Sequence, residues 1–315
     1  MQDPPAPPAA EPASARPPRA AEGTPLLLQN ESLDPTSPLG RWLACPDAPT
    51  ARAHAAAATA AALGDFAEVT GLLPQRERWR AELLIAAVSI GAAHAAGRES
   101  AERRLADFHR LAYRLARALA DEPADTAVPA LFAEEQRRRP FTRPALDELL
   151  ALARERVRER RPRTPEDAAR RAERLALALA TALFGVEPAE SVVSFLAALV
   201  RLLELASLPA DLAAGTAALA LSELAEPLQY RSVEEIARAV ASECAALEPM
   251  LLRGGRAGVE VPLTFRRPFA YLLPLAFKLH GAIESDPRAL ARRAPRLGRW
   301  TRRLARFRAR RERLD

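Results

Sequence analysis

Residues Gly71–Gly97, with the sequence GLLPQRERWRAELLIAAVSIGAAHAAG, determine how the rest of the chain is interpreted. If its second half is helical, the helix is apolar around its whole circumference, as in the interior of a large protein or a membrane. The apolar run follows Arg80 and Glu82 and is shorter than the roughly 20 residues of a membrane span. We therefore predict a central core helix that begins after Leu73–Pro74 and ends near Gly97.

The composition of the whole chain favours helices. The 315 residues are 49% hydrophobic, which is enough to bury a large core. Alanine, leucine, arginine and glutamate dominate, and these residues have high helix propensity. Alternating runs of β-branched residues, which would indicate strands, are missing from the sequence. We predict an all-α bundle of about ten helices connected by short loops.

The first part of the chain differs from the rest. Residues 1–45 are rich in proline and alanine and contain few large apolar side chains. Such a segment buries too little surface to offset its conformational entropy. We predict a disordered tail over residues 1–45 and one helical domain over residues 46–315.

The C-terminal segment is strongly basic. Residues 288–315 contain twelve arginines against Glu312 and Asp315, a net +10, so the remainder of the chain carries −4 of the total +6. We predict an amphipathic helix from Pro287 to Leu314 that docks its apolar stripe on the protein and directs its arginines outward. The arginines from Arg288 to Arg313 fit an anionic membrane surface, RNA or an acidic partner, or are simply solvated. No DNA-binding motif is recognisable. The stripe consists of Leu297, Trp300, Leu304 and Phe307.

The cysteines and the N-terminal sequence indicate the cellular compartment in which the protein is expected. Cys45 and Cys244 are far apart, with neither a disulfide framework nor metal-ligand spacing. The N-terminus has an acidic Asp3 before any basic residue and no apolar segment typical of a secretory signal. We expect a cytoplasmic protein that can attach peripherally to the inner face of the membrane.

The order and spacing of several motifs resemble the squalene/phytoene synthase family over roughly residues 52–311. In that family a Leu-Pro pair is followed by an arginine, a core helix and a cluster of aspartates. Leu73–Pro74 and Arg78 stand at the corresponding positions here. The resemblance implies an isoprenoid-synthase-like bundle around a central cavity, with a role in isoprenoid metabolism.

The same resemblance shows where this chain differs from active members. The first aspartate cluster falls on Ala92, Ala93 and Ala96. In the second motif, Asp211 is retained, while Glu204 and Ser207 stand at a glutamine and an asparagine position. Mg²⁺ takes oxygen ligands and would neutralise the departing diphosphate, so these changes predict that catalysis has been lost. Asp211 is a metal ligand only if the protein is active, and otherwise no cofactor is expected.

The resemblance also suggests residues that line the cavity. These candidates are Phe66, Ile85, Ser89, His94, Leu203 and Ser207. Asp65 and Glu68 lie one helical turn apart near the expected entrance and form an alternative ligand pair. Asp121 and Asp125 flank Pro123 and are expected to be solvated.

Three hypotheses follow from the sequence. The favoured one is a pseudoenzyme that binds an isoprenoid, another apolar molecule or a partner enzyme. The second is an active head-to-head prenyltransferase that condenses farnesyl or geranylgeranyl diphosphate with Mg²⁺. The third is a helical adaptor whose basic tail binds a membrane or RNA.

Overall fold

The computed structural model describes residues 33–138, 143–158, 164–214 and 232–311. Every regular element in these ranges is a helix, so the prediction of an all-α protein is confirmed. A 3₁₀ helix, Gly64–Leu72, separates α2 from α3. The α-helices are α1 Pro38–Leu43, α2 Ala48–Leu63, α3 Gln75–Ala95, α4 Ala101–Leu119, α5 Ala127–Arg138, α6 Arg143–Arg158, α7 Pro165–Phe184, α8 Glu190–Ala214, α9 Val233–Leu252, α10 Gly254–Glu260, α11 Leu263–Ser285, α12 Pro287–Leu290 and α13 Arg299–Arg311.

Helix α3 is the core helix that the sequence predicts, but it is not buried on every side. Leu83, Leu84 and Ile90 are buried in a core that also contains residues of α1, α2, α4 and α5. Ile85 and Ser89, four residues apart, lie on a strip of α3 that stays partly exposed. The helix therefore has a packed side and a side that is left open.

Five elements form a closed ring. Helix α3 packs on α7, α7 on α8, α8 on α11, α11 on the 3₁₀ helix, and the 3₁₀ helix on α3. Helices α3 and α8 carry the two predicted motifs. In this ring α7 separates them on one side, and α11 with the 3₁₀ helix separates them on the other. Helix α8 is also the one described helix long and apolar enough to span a membrane, although much of it is buried within the protein.

The ordered domain begins earlier than the sequence predicts. The boundary at residue 46 is wrong, because α1 lies inside the predicted tail and its Leu39, Trp42 and Leu43 are buried. Trp42 packs edge-on against Phe132 of α5, with ring centroids 6.4 Å apart. A six-residue helix is too short to show a periodic pattern, and its one local signal is the Ser37 cap followed by Pro38. Residues 1–32 of the predicted tail lie outside the described residues.

Helix α10 is rich in glycine, a residue with low helix propensity. Gly254 begins this helix because no larger residue fits there. A Cβ atom at Gly254 would lie 2.5 Å from Leu273 Cδ1 and 2.7 Å from Phe195 Cδ2. Glycine here serves close packing of α10 against α8 and α11 rather than flexibility. Helix α11 also continues without interruption through Pro268 and Pro274.

The predicted single helix from Pro287 to Leu314 is wrong in extent, and its docked stripe is wrong for three of the four residues. Leu297 is buried as predicted. Residues 312–314 lie outside the described residues. The segment divides into the short α12 and the separate α13 instead of one helix. Trp300, Leu304 and Phe307 face solvent, with 79%, 55% and 56% of their surface exposed.

The side of α13 that faces the protein is lined by small residues and two arginines. Ala305 and Ala309 are buried there, and small side chains let the helix approach closely. Arg302 lies 3.4 Å from Asp65, and Arg306 lies 2.6 Å from Glu68. These ion pairs and the alanines select the docked side. The larger apolar stripe is consequently left outside.

Candidate functional site

The first motif presents methyl groups instead of carboxylates. Ala92 is partly buried near the end of α3, and Ala93 and Ala96 are exposed. Ser89, one turn earlier, directs its hydroxyl to the carbonyl of Ala86 at 3.2 Å. This part of α3 therefore offers a divalent ion no carboxylate oxygen from the three motif positions.

The second motif retains an acid that already has a local partner. The Ser207 hydroxyl donates a hydrogen bond to Asp211 Oδ2 at 2.8 Å, within one turn of α8. Ser207 is exposed and Asp211 is partly buried. Leu203, one turn before Ser207, packs at the edge of the apolar core.

Glu204 has a structural partner instead of an open coordination position. Its carboxylate lies 3.0 Å from Arg201, whose side chain is buried, and Arg201 is also 2.6 Å from Glu243 of α9. Burying an arginine is costly unless acids surround it, so Glu204 and Glu243 stabilise the contact between α8 and α9. The residues at the positions of the two motifs therefore do not fit a metal cluster that would hold a diphosphate between α3 and α8.

The alternative acid pair is used to dock the last helix. Asp65 accepts a hydrogen bond from the backbone N–H of Leu297 at 2.7 Å, in addition to its ion pair with Arg302. Glu68 accepts a hydrogen bond from the Tyr271 hydroxyl at 3.3 Å and pairs with Arg306. Burial, followed by the nearby Glu68 charge, raises the pKa of Tyr271, so this phenol remains a donor. These contacts give Asp65 and Glu68 a structural role.

Two predicted cavity residues lie in packed surroundings. Phe66 is buried in the larger apolar cluster with residues of α8, α9 and α11. His94 is also buried, and its ring packs edge-on against Phe108 of α4 at 5.3 Å. Ile85 and Ser89 remain on the partly exposed strip of α3. The structure thus places His94 toward α4, whereas Ala93 and Ala96 are exposed.

A cluster that the sequence analysis missed surrounds His94. His94, Glu99 and Asp107 bring one ligand-type atom each to within 4.8 Å of one another, the one such group found among the described residues. Burial, together with a hydrogen bond to the carboxyl of Asp34, raises the pKa of Glu99. The residues come from the end of α3, the following linker and α4. Their spacing of five and eight residues matches no common metal motif, so the sequence gives little sign of them.

Comparisons with known proteins identify the fold. No protein-family model matches the sequence, and no curated protein matches it by sequence. Among solved structures, the chain is similar to squalene synthase HpnC from Alicyclobacillus acidocaldarius, with a TM-score of 0.61 and 17% identity over 77% of this chain and 95% of that one. It is also similar to a dehydrosqualene synthase in complex with a ligand, with a TM-score of 0.64 and 11% identity over 87% of this chain and 98% of that one.

These similarities confirm the squalene/phytoene synthase-like fold that the motif order predicted. At 17% and 11% identity they establish the architecture alone. The chain is therefore an all-α protein of isoprenoid-synthase-like fold, whose own residues must decide what chemistry it supports.

Proposed function

We propose that this protein is a non-catalytic, isoprenoid-binding relative of the synthases whose fold it shares. The observation that carries the proposal is the set of three alanines, Ala92, Ala93 and Ala96, at the positions where the family resemblance requires acids. An alanine side chain has no oxygen with which to bind Mg²⁺.

The chemistry of diphosphate departure makes this loss decisive. A diphosphate leaves an allylic carbon only when its developing charge is neutralised by cations. Removing one well-placed electrostatic group typically costs about 10²–10³ in rate. Three are missing from α3, and on α8 Glu204 is committed to an ion pair with Arg201. Their combined loss supports a protein that does not use Mg²⁺ to bind a diphosphate.

The ligand class follows from the side chains that remain on the two motif helices. Ile85 on α3 and Leu203 on α8 are apolar and partly exposed, and Ser89 is a partly exposed polar residue one turn after Ile85. Apolar binding sites with few polar groups suit hydrocarbon chains. We expect an isoprenoid or a similar apolar molecule to bind by its chain, without metal-dependent recognition of a diphosphate.

Equilibrium dialysis and turnover assays test this proposal together. Purified full-length protein is dialysed against radiolabelled farnesol and farnesyl diphosphate, with Mg²⁺ or with a chelator. We expect both ligands to bind with affinities that the metal does not change. Incubation with farnesyl or geranylgeranyl diphosphate and Mg²⁺ or Mn²⁺ should release no pyrophosphate and yield no C30 or C40 hydrocarbon.

The hypothesis of an active prenyltransferase predicts a different result in the same assay. Turnover that disappears in Asp211→Asn would overturn the pseudoenzyme proposal in favour of an active head-to-head prenyltransferase. Turnover that survives in Asp211→Asn would indicate a contaminating enzyme. Failure to bind either labelled ligand would reject isoprenoid binding and leave the role of partner or adaptor.

A second function concerns the outward face of α13, for which we propose an anionic membrane surface as the partner. Trp300, Leu304 and Phe307 form an exposed apolar stripe, and exposed arginines flank it. Arg303 stacks over Trp300, and Arg311 over Phe307, each about 5.3 Å from the ring centroid. An aromatic and aliphatic stripe beside basic residues is typical of helices that lie in a membrane interface. Each arginine near such a surface contributes about 1 kcal/mol.

Vesicle sedimentation tests the membrane proposal. The protein should bind phosphatidylserine vesicles, detach as salt rises, and ignore neutral phosphatidylcholine vesicles. Trp300→Ser combined with Phe307→Ser should weaken binding, whereas Leu252→Ser, which changes an exposed apolar residue on α9, should not. Binding to RNA in place of vesicles, or equal binding by both variants, would contradict the proposal.

A further inference from the structure

The three residues around His94 share an unusual property: each has one buried polar atom without a hydrogen-bond partner. These atoms are His94 Nε2, Asp107 Oδ2 and Glu99 Oε2. His94 and Asp107 have 1% and 0% of their surface exposed. Leaving a buried polar atom without a partner is costly, so three in one place need a physical explanation.

The distance between two of these atoms suggests one. His94 Nε2 lies 3.3 Å from Asp107 Oδ2, yet the two do not form a hydrogen bond of acceptable geometry. Two ligand atoms at about 2.0–2.1 Å from one tetrahedral ion are about 3.3 Å apart. The ligand atoms of the three residues lie within 4.8 Å of one another, so Glu99 needs only a side-chain adjustment to reach the same ion.

We propose that His94, Glu99 and Asp107 form a structural site for a divalent transition-metal ion of the Zn²⁺ class. An imidazole nitrogen with two carboxylates suits such ions, whereas Mg²⁺ and Ca²⁺ prefer oxygen ligands throughout. The two carboxylates would offset the charge of a divalent ion, and the buried Arg110 adds one positive charge beside Asp107. This site is separate from the alanine positions of the first motif and does not depend on the proposed function.

Two arginines next to the cluster hold one ligand and the neighbouring helix ends in position. Arg110 donates to the other carboxylate oxygen of Asp107, Oδ1, at 2.8 Å. This contact fixes the carboxylate so that Oδ2 is directed toward His94. Contacts that orient a ligand in this way are a regular feature of metal sites. Arg104 donates to the backbone carbonyl of Ala95, which holds the start of α4 against the end of α3.

The position of the cluster defines what the ion would do. His94 lies in the last turn of α3, Glu99 in the linker, and Asp107 in the second turn of α4. An ion bound to all three would fasten the corner between two consecutive helices. Three protein ligands would leave the fourth tetrahedral position to a water molecule. We assign the ion a structural role because it would join the ends of two helices.

Metal binding is measured on the full-length protein after removal of metal with a chelator. Isothermal titration with Zn²⁺ should give one equivalent, and Co²⁺ should give visible d–d absorption without a thiolate charge-transfer band. His94→Gln and Glu99→Gln should each weaken Zn²⁺ binding by at least about tenfold, because changing even a residue that orients a ligand costs 10–100-fold. Zn²⁺ should raise the Tm of the original protein more than that of Glu99→Gln.

His109→Gln is the matched control, because His109 is an exposed histidine on α4 two residues after Asp107. It should bind Zn²⁺ as the original protein does. Glu99 is only partly buried, so Glu99→Gln decides the question alone if His94→Gln loses its helical circular dichroism. Zn²⁺ binding that is absent from the original protein, or unchanged in Glu99→Gln, would overturn the proposal.

Discussion

Two alanines on α3 are the residues at which loss of metal chemistry can be tested by reversal. Ala93 and Ala96 are exposed, so replacing both with aspartate should change the free energy of unfolding by only about 1 kcal/mol or less, including the unfavourable helix dipole. With two carboxylates present, Mg²⁺ should strengthen binding of farnesyl diphosphate by about tenfold, or ~1.4 kcal/mol. Dialysis with and without Mg²⁺ measures the effect.

The control for this variant replaces the same two alanines with asparagine, which has a similar size and no charge. The asparagine variant should show no response to Mg²⁺. If the aspartate variant also shows none, the ligand does not bind beside this end of α3.

Gly254 and Gly255 are adjacent glycines with opposite expected effects. Gly254→Ala should destabilise the fold by about 1–3 kcal/mol, because its Cβ meets Phe195 and Leu273 at contact distances that force repacking. Gly255→Ala meets no atom within 4 Å and should be neutral or stabilise α10 by up to about 1 kcal/mol. Chemical denaturation of both variants gives the comparison. Equal destabilisation by the two would show that helix packing is not the cause.

At the level of elements, the sequence predicts best where a helix carries its own start and stop signals. The bounds of α7 can be read from the sequence, because Thr164 caps it, Pro165 begins it and Gly185 ends it in a left-handed conformation. Ser37 caps α1 and Pro38 begins it, but its six residues are too few for a periodic pattern. The glycines of α10 suggest a loop when viewed in isolation. In both cases the deciding contacts come from residues far away in the chain.

Helix α13 shows why the orientation of an amphipathic helix is not determined by its own sequence. Its largest apolar stripe was the natural choice for the docked side. The alanine side is the docked one, because Arg302 and Arg306 on that side form ion pairs with Asp65 and Glu68. More than 230 residues separate Asp65 from Leu297, whose backbone it binds.

Docking of α13 can be broken by a charge on its inner side. Ala309 is fully buried, so Ala309→Glu should detach the helix, because burial of an unpaired carboxylate is costly. Hydrogen exchange over residues 299–311 should increase while exchange in α3 and α8 stays slow. Arg310→Glu places the same side chain on the exposed side and should leave exchange unchanged. Equal exchange in both variants would contradict the docked arrangement.

For the whole molecule, the two cysteines report on the two main apolar clusters. Cys45 is buried in the cluster around α3, and Cys244 in the cluster around α8 and α11. Burial raises the pKa of both thiols, that of Cys244 to about 12. A protonated, buried thiol is a poor nucleophile. We expect negligible reaction with a thiol reagent at pH 8 until the protein unfolds.

If the chain unfolds cooperatively, both cysteines should become reactive at the same denaturant concentration. Single variants Cys45→Ser and Cys244→Ser separate the two signals. Two distinct midpoints would show that the two clusters unfold independently.

Alkaline pH should destabilise the protein through the same Cys244 thiol. The unfolded thiol ionises near pH 9, whereas the folded one holds its proton to about pH 12. The contribution of this group to stability is therefore complete below about pH 9 and is lost as the pH rises toward 12. Cys244→Ala should flatten this part of the stability profile, as measured by denaturation at a series of pH values.

The site was harder to predict than the fold. The motif positions of Ala92, Ala93 and Ala96 could be located because helical spacing preserves them despite the changed residues. Arg201 lies one turn from Glu204 on α8, so that ion pair is local. The contact of Arg201 with Glu243 and the cluster at His94 could not be predicted, since they form only after the helices pack. Side-chain identity is local information, whereas a coordination shell or a buried ion pair is a property of the assembled bundle.

The two-sided character of α13 has a practical consequence. The side of the helix that faces the protein carries buried alanines and two arginines in ion pairs. The apolar residues of the opposite side are not part of the described core. Residues such as Trp300 and Arg303 can therefore be replaced with little effect on folding. A cysteine at position 303 would take a fluorophore or a tether at a fixed orientation. The last helix is thus a ready attachment point for single-molecule or surface-immobilisation experiments.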